Sequence, residues 1–265
     1  MGHLRLLATD LDGTLLQSDK HISPRTRRAL KLVRAAGVEI VLVTGRPPRF
    51  LRPVAAELEI ASAAICANGA LVYDPARDLI IRHVPLSGPV AAEMVVALRE
   101  AAPGVCFACE RGLFSGCEPE YLARFPHAKQ EAACIADALT LCREPISKLI
   151  AHHTQIPIQE LMRLAQSVTA DQAIVTFSGA PFVEIGAPGA QKSLALAWLC
   201  AERGIQPDEV IAFGDMPNDL PMLRWAGHSV VMANAHPEVL REVAEVTTSN
   251  DEDGVAVVLE RLFSL

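Results

Sequence analysis

The order of the first three elements constrains this chain more than any other feature. Leu4 to Thr9 is an almost unbroken run of Leu and Ala that stops at Asp10, the pattern of a strand covered on both faces. Ser23 then offers an N-cap hydroxyl, Pro24 a preset φ at the first helical position, and Ala29, Leu30 and Val33 one apolar face, with Gly37 as the stop. Residues 24–36 read as an amphipathic helix, and a second apolar run, Val38 to Thr44, follows with almost no loop. Strand, helix and strand in that order make a right-handed crossover unit with its helix packed on a parallel sheet. The fold class is α/β, with a Rossmann-like parallel sheet.

Further along, Pro47 and Pro48 suit the first turn of a helix reaching about Leu58, with Pro53 as a kink. Ala63 to Cys66 reads as a short strand, and Asn68-Gly69 supplies the chemistry of a tight hairpin into Ala70 to Tyr73. From about Val84 to Ala187 the elements shorten: helices near 88–101 and 157–167, and strands near 105–110, 146–152, 173–178 and 182–186. Buried-strand grammar then returns at Val210 to Phe213 and Ser229 to Met232, with helices near 190–203, 218–226, 236–244 and 254–263. The expected organisation is a core of residues 1–83 and 188–265 with a second α/β domain, 84–187, inserted between Pro85-Leu86-Ser87-Gly88 and Gly186-Ala187-Pro188-Gly189.

The 265 residues, 51% apolar and 21% charged, exclude a disordered chain and a coiled-coil rod. The net charge of -7 has the wrong sign for a surface that displaces counterions from a nucleic-acid duplex, so no nucleic-acid partner is expected. The helix bearing Arg25, Arg27, Arg28, Lys31 and Arg34 is read as a solvated face. Seven scattered cysteines argue against a secreted disulfide framework. Asp10 and Asp12 interrupt any leader-like apolar stretch, and no run approaches the ~18 apolar residues of a membrane helix. A cytoplasmic location without membrane attachment is the expectation.

The chemistry-bearing residues cluster at strand ends. Asp10-Leu11-Asp12-Gly13-Thr14 follows the first strand, where open α/β sheets place ligands. Two carboxylates one residue apart can address one reacting centre, one as nucleophile and one as proton donor. Val43-Thr44-Gly45-Arg46 places a hydroxyl and backbone N–H groups after the second strand, suited to phosphate oxygens. Gly214-Asp215-Met216-Pro217-Asn218-Asp219 follows the strand at 210–213, and Lys192 opens the helix after the second hinge. Each cluster alone has a bland reading as a cap, a turn or a surface lysine. Together they converge on one crevice.

In order and content these segments resemble the haloacid dehalogenase superfamily, specifically its Cof-type (subfamily IIB) phosphatases with a large C2-type α/β cap. Asn68-Gly69, Asn234-Ala235-His236-Pro237 and Asp253-Gly254-Val255-Ala256 add to the resemblance, which spans essentially the whole chain. Ser193 departs from it, where many relatives carry Gly. The resemblance implies a phosphatase of small phosphorylated metabolites in which Asp10 attacks phosphorus to form an aspartyl-phosphate. Asp12 then protonates the leaving oxygen and later activates water. Asp10, the Asp12 carbonyl and Asp215 are the implied Mg²⁺ ligands. Thr44, the N–H groups of Leu11 and Gly45, Lys192 and Asn218 are the implied phosphate contacts. Asp219 is implied as a partner of the lysine or metal, and Arg46 is a further candidate around the phosphoryl group.

Elementary electrostatics asks for the same residue types. A carboxylate ~4 Å from a phosphate dianion meets roughly 8 kcal/mol of repulsion at an effective dielectric of 20, whereas a divalent cation there attracts the dianion by roughly 16 kcal/mol. Oxygen ligands without His or Cys suit Mg²⁺ over Zn²⁺. Cys106 and Cys109 would point to opposite faces of a strand, and Cys117, Cys134 and Cys142 add no second CxxC, which argues against zinc. His152-His153 is read as the end of a strand in the inserted domain. Two rival readings are a phosphosugar mutase using the same aspartate pair and a non-catalytic phosphosugar-binding regulator. The intact Asp10, Asp12, Thr44, Lys192 and Asp215 set argues against the regulator. Glu118, Tyr121 and Ser178 are candidate contacts to the leaving group.

Overall fold

The structure, a computed structural model, describes residues 4–59 and 63–264, so the outermost residues of the expected core, 1–3 and 265, lie outside it. The chain divides into two compact units, Met1–Ile81 with Gln191–Leu265, and Arg82–Ala190. The divisions fall after Ile81 and Ala190, against the expected 83 and 187. The described residues include no helix long and apolar enough to cross a membrane.

In the first unit, four parallel strands run in the order His228–Val231, Val210–Gly214, Leu6–Thr9, Glu39–Leu42. Leu6 to Thr9 is buried throughout and pairs with a strand on each side, which is why it carries no polar alternation. The crossover helix Pro24–Ala35 begins where Ser23 Oγ accepts the Thr26 N–H at 3.0 Å, and it buries Ala29, Leu30 and Val33. The helix Pro48–Glu57 keeps Pro53 inside it. The helices Lys192–Glu202 and Leu220–Trp225 pack on the sheet through Ala195, Leu196, Leu199, Met222 and Leu223.

A second, three-stranded sheet is built from Ala64–Cys66, Leu71–Asp74 and Leu79–His83. Its first turn is not the two-residue hairpin that Asn68-Gly69 suggested. Cys66 pairs with Leu71, so Ala67 to Ala70 make a four-residue connection with Ala67, Asn68 and Gly69 all at positive φ. The reason is non-local: the turn's donors go to another loop, Ala67 N to Arg46 O at 3.0 Å and Asn68 N to Thr44 O at 3.1 Å. Gly69 is required here, because a Cβ would lie 2.2 Å from the Gln191 carbonyl oxygen beside Lys192.

The second unit contains a six-stranded sheet in the order Ile174–Thr176, Val183–Gly186, Lys148–His152, Cys106–Arg111, Phe114–Cys117, Cys134–Ile135. The pairs are antiparallel except the last. The helices Gly88–Ala101 and Ile158–Thr169 pack together in this unit and bury Ala91, Met94, Val95, Leu98, Leu161 and Ala165. Cys106 joins Ala108, Cys117, Tyr121 and Ile150 in an apolar cluster, with Phe125 stacked on Tyr121 at 4.6 Å between ring centres. Strand alternation sends Cys109 to the other face. Burial pushes the Cys106 thiol up to about 11 and Cys109 up to about 12, which disfavours the thiolate that zinc needs.

Glu118 is a structural residue of this unit rather than a leaving-group contact. Its Oε2 accepts the Phe107 N–H at 2.8 Å, while Oε1 accepts the Ala138 N–H at 3.0 Å and Arg99 Nη2 at 2.5 Å. Both oxygens thus hold the sheet to the short helix Ala138–Leu141. Tyr121, equally buried, belongs to the apolar cluster.

Candidate active site

Asp10, Asp12, Asp215, Asp219 and Lys192 all stand in the first unit, the aspartates in the loops that follow its parallel strands. Pairing of Leu6–Thr9 with Val210–Gly214 continues for one residue, with Asp10 N donating to Phe213 O at 3.0 Å. That bond brings the loop after the first strand beside the loop that carries Asp215. Thr44 is fixed in the same way: its N–H donates to Ile65 O at 2.8 Å, and its hydroxyl oxygen accepts the Arg46 N–H at 3.0 Å. Leu11 and Gly45 directly follow Asp10 and Thr44 on these two loops.

Lys192 organises the centre. Its Nζ donates to Asp10 Oδ1 at 2.7 Å and to Asp219 Oδ1 at 2.6 Å. Asp219 Oδ2 accepts the N–H groups of Asp215 at 3.1 Å and Met216 at 3.0 Å. Asp219 therefore links the lysine to the Asp215 loop through both of its oxygens. Gly214 makes this possible, since a Cβ there would lie 2.6 Å from Asp219 Cβ. Asp215 Oδ1 accepts the Thr14 hydroxyl at 2.7 Å.

Asp10, Asp215, Asp219 and Lys192 are all at least 95% buried. Three carboxylates facing one ammonium leave two uncompensated negative charges away from water. Burial raises the Asp10 carboxyl well above its ordinary value against the pull of Lys192, and Asp219 and Asp215 raise it further. Burial, followed by the Asp219 charge, pushes Asp215 up to about 7. Burial would lower the Lys192 ammonium, but Asp10 and Asp219 outweigh it and hold the group charged far above neutral pH.

Asp12 occupies a different environment. Arg46 grips its carboxylate with two bonds, Nε to Oδ2 at 2.6 Å and Nη2 to Oδ1 at 2.5 Å, and Lys20 Nζ reaches Oδ1 at 3.0 Å. Burial works to raise this carboxyl, yet Arg46 and Lys20 hold it below its usual value. The two aspartates of one strand end are thus pushed apart, so that Asp12 is the one held as a carboxylate and Asp10 the one whose ionised form needs a further cation beside it. Arg46 contacts the second aspartate here. Lys20 carried no signal in the sequence, because it reaches Asp12 through a left-handed turn (φ 70°) closed by Gln17 N to His21 O. Asn218 Nδ2 donates to Asn68 Oδ1 at 3.2 Å, a contact that brings the Asn68 turn into the centre.

The donor set fits a hard divalent cation. Carboxylate oxygens of Asp10, Asp215 and Asp219 lie within 4.8 Å of one another, they are buried, and their charge is undercompensated. Since both Asp219 oxygens already accept hydrogen bonds, Asp10 and Asp215 are the carboxylates left to offer ligand atoms.

The sequence pattern of the haloacid dehalogenase-like hydrolases matches residues 7–259. The chain belongs to that family. It is 28% identical over 264 residues to the 5-amino-6-(5-phospho-D-ribitylamino)uracil phosphatase YitU of Bacillus subtilis, covering 98% of each chain. To the putative phosphatase YxeH of the same organism it is 30% identical over 273 residues, covering 97% of this chain and 98% of that one. Among solved structures, a haloacid dehalogenase-like hydrolase from Bacteroides thetaiotaomicron superposes with a TM-score of 0.80 at 29% identity, over 98% of this chain and 100% of that one. The parallel-sheet core with its inserted α/β cap is shared with that solved structure, which superposes over essentially the whole chain.

Proposed function

We propose that this hydrolase is a Mg²⁺-dependent phosphatase of small phosphorylated metabolites that works through an aspartyl-phosphate on Asp10. The observation that carries the reading is the buried Lys192 bridge between Asp10 and Asp219, with Asp215 alongside, at the carboxyl ends of the parallel strands. The phosphoribitylaminouracil phosphatase activity named for a relative supports a small phosphomonoester as the substrate class.

Asp10 and Asp215, with the Asp12 carbonyl, would hold the metal. When bound, Mg²⁺ would neutralise charge between the nucleophile and the phosphoryl dianion. Lys192 fixes Asp10 Oδ1, which leaves the second carboxylate oxygen to attack phosphorus. The bond from phosphorus to the substrate oxygen breaks, and that oxygen takes a proton that Asp12 has first bound from solvent against the pull of Arg46 and Lys20. Asp12, now a carboxylate, accepts a proton from the water that attacks the aspartyl-phosphate, which regenerates Asp10 and releases phosphate. Arg46 and Lys20 stabilise the carboxylate form needed in this second half-reaction. Thr44, the N–H groups of Leu11 and Gly45, Lys192 and Asn218 are the proposed phosphoryl contacts.

A screen of phosphorylated metabolites scored by released inorganic phosphate tests the reading, with p-nitrophenyl phosphate as a generic substrate. The expected result is phosphate release that stops in excess chelator, returns with Mg²⁺ and vanishes in Asp10→Asn. Isomerised monophosphate formed from a hexose bisphosphate without phosphate release would identify a mutase instead. Turnover that persists in chelator would overturn the metal assignment.

A further inference from the structure

The loop after the second aspartate closes around Asp215 from both sides. Thr14 is 2% exposed, and its hydroxyl donates to Asp215 Oδ1 at 2.7 Å across 201 residues of sequence. Against the other oxygen stands Gly13, at φ +79°, where a Cβ would lie 2.4 Å from Asp215 Oδ2. The same dipeptide is anchored from a third loop, with Asn234 Nδ2 donating to Gly13 O at 2.8 Å. The Asp215 backbone is fixed too, because its carbonyl accepts the His236 N–H at 2.8 Å. A buried aspartate thus has its main chain tethered, one oxygen held by a hydroxyl, and the other facing a residue that must lack a side chain.

We propose that Thr14 is a positioning residue for the metal: its hydroxyl holds Asp215 Oδ1 so that Oδ2 is presented, in one orientation, toward the Asp10 carboxylate. This rests on the proposed role of Asp215 as a metal ligand. An unanchored carboxylate in this place could rotate about its last bond, and a metal would have to freeze that rotation on binding. A hydrogen bond to the non-ligating oxygen fixes the rotamer beforehand, which is how groups behind a metal ligand raise affinity without touching the metal. Gly13 serves the same end sterically, since any side chain there would displace the ligating oxygen.

Thr14→Val removes the hydroxyl while keeping the branched shape, and Thr14→Ser keeps the hydroxyl while removing the methyl group. The direct measurement is calorimetric titration of Mg²⁺ into chelator-treated protein without substrate, comparing wild type, Thr14→Val, Thr14→Ser and Asp215→Asn at one pH. Thr14→Val should raise the Mg²⁺ Kd roughly 10- to 100-fold, the usual effect of removing an outer partner of a metal ligand, and Thr14→Ser should stay within a few-fold of wild type. If Thr14→Val does not purify folded, as judged by circular dichroism, Thr14→Ala takes its place in the same comparison. An unchanged Kd in the variant lacking the hydroxyl overturns the proposal, as does a serine variant as weak as the valine one. The underlying reading fails separately, and takes the proposal with it, if wild type shows no saturable Mg²⁺ binding or if Asp215→Asn binds as well as wild type. A purely structural hydroxyl would lower thermal stability in chelator and leave the Kd alone.

Discussion

Replacing Lys192 by methionine removes the cation that bridges Asp10 and Asp219 in a buried centre of three carboxylates. Its Nζ lies 2.7 Å from Asp10 and 2.6 Å from Asp219, and the side chain is 2% exposed. Breaking a buried pair by removing one partner costs about 3–5 kcal/mol, because the remaining charge is left uncompensated. Across a unit of this size that corresponds to a Tm lower by roughly 6–20 °C. The loss depends on pH in a definite direction. A carboxyl whose pKa is raised by folding weakens the folded state above that pKa, and the penalty disappears as pH falls toward the unfolded value of about 3.9. Asp10 and Asp215 are already raised, Asp215 to about 7, and without the ammonium both rise further. The deficit of Lys192→Met should therefore be largest near pH 8 and shrink by pH 5.5. The assay is urea unfolding in chelator followed by tryptophan fluorescence, which reports the core because Trp198 and Trp225, the two tryptophans of the chain, both pack on its apolar cluster. A deficit below about 1 kcal/mol, the range of an exposed pair, or one equal at both pH values would refute the reasoning.

Glu118→Ala should destabilise the cap by about 2–5 kcal/mol, since it leaves the Phe107 and Ala138 N–H groups without their acceptor; hydrogen exchange at those amides checks it, and unchanged protection contradicts it. In Arg46→Ala the Asp12 carboxyl should titrate closer to its ordinary value of about 3.9, as followed by carbon NMR of the labelled side chain. The accompanying stability loss at neutral pH should stay below about 1 kcal/mol, because Asp12 and Arg46 are 36% and 25% exposed. Gly13→Ala should weaken Mg²⁺ binding in calorimetric titration with little change in the far-ultraviolet spectrum, because the added methyl group meets Asp215 Oδ2.

The parallel core was legible because its strands are covered on both faces and therefore appear as unbroken apolar runs, as at Leu6 to Thr9 and Val210 to Gly214. The strand Leu79–His83, which alternates exposed and half-buried residues, offered no such signal. Cys134–Ile135, Ala138–Leu141 and Pro119–Arg124 are two, four and six residues long, too short for a period to develop. At the site, strand-end position was the useful clue, and the structure brings Asp10, Lys192, Asp215 and Asp219 into one contact group. Contacts made by long-range side-chain geometry were not legible. Thr14 meets Asp215, Asn68 meets Asn218, and Lys20 meets Asp12 only after the loops have folded. Glu118 shows the converse, since a glutamate that accepts two backbone N–H groups reads in sequence like one free to meet a ligand.

The identity of the nucleophile is the central claim, and chemical trapping of the phosphoenzyme tests it most directly. Borohydride reduces an aspartyl-phosphate to homoserine, a change that peptide mass spectrometry assigns to a single residue. Protein quenched during turnover of p-nitrophenyl phosphate with Mg²⁺ should carry homoserine at position 10, and none when substrate or metal is withheld or when Asp10→Asn is used. Homoserine at position 12, or undiminished turnover with position 10 unmodified, would contradict the account.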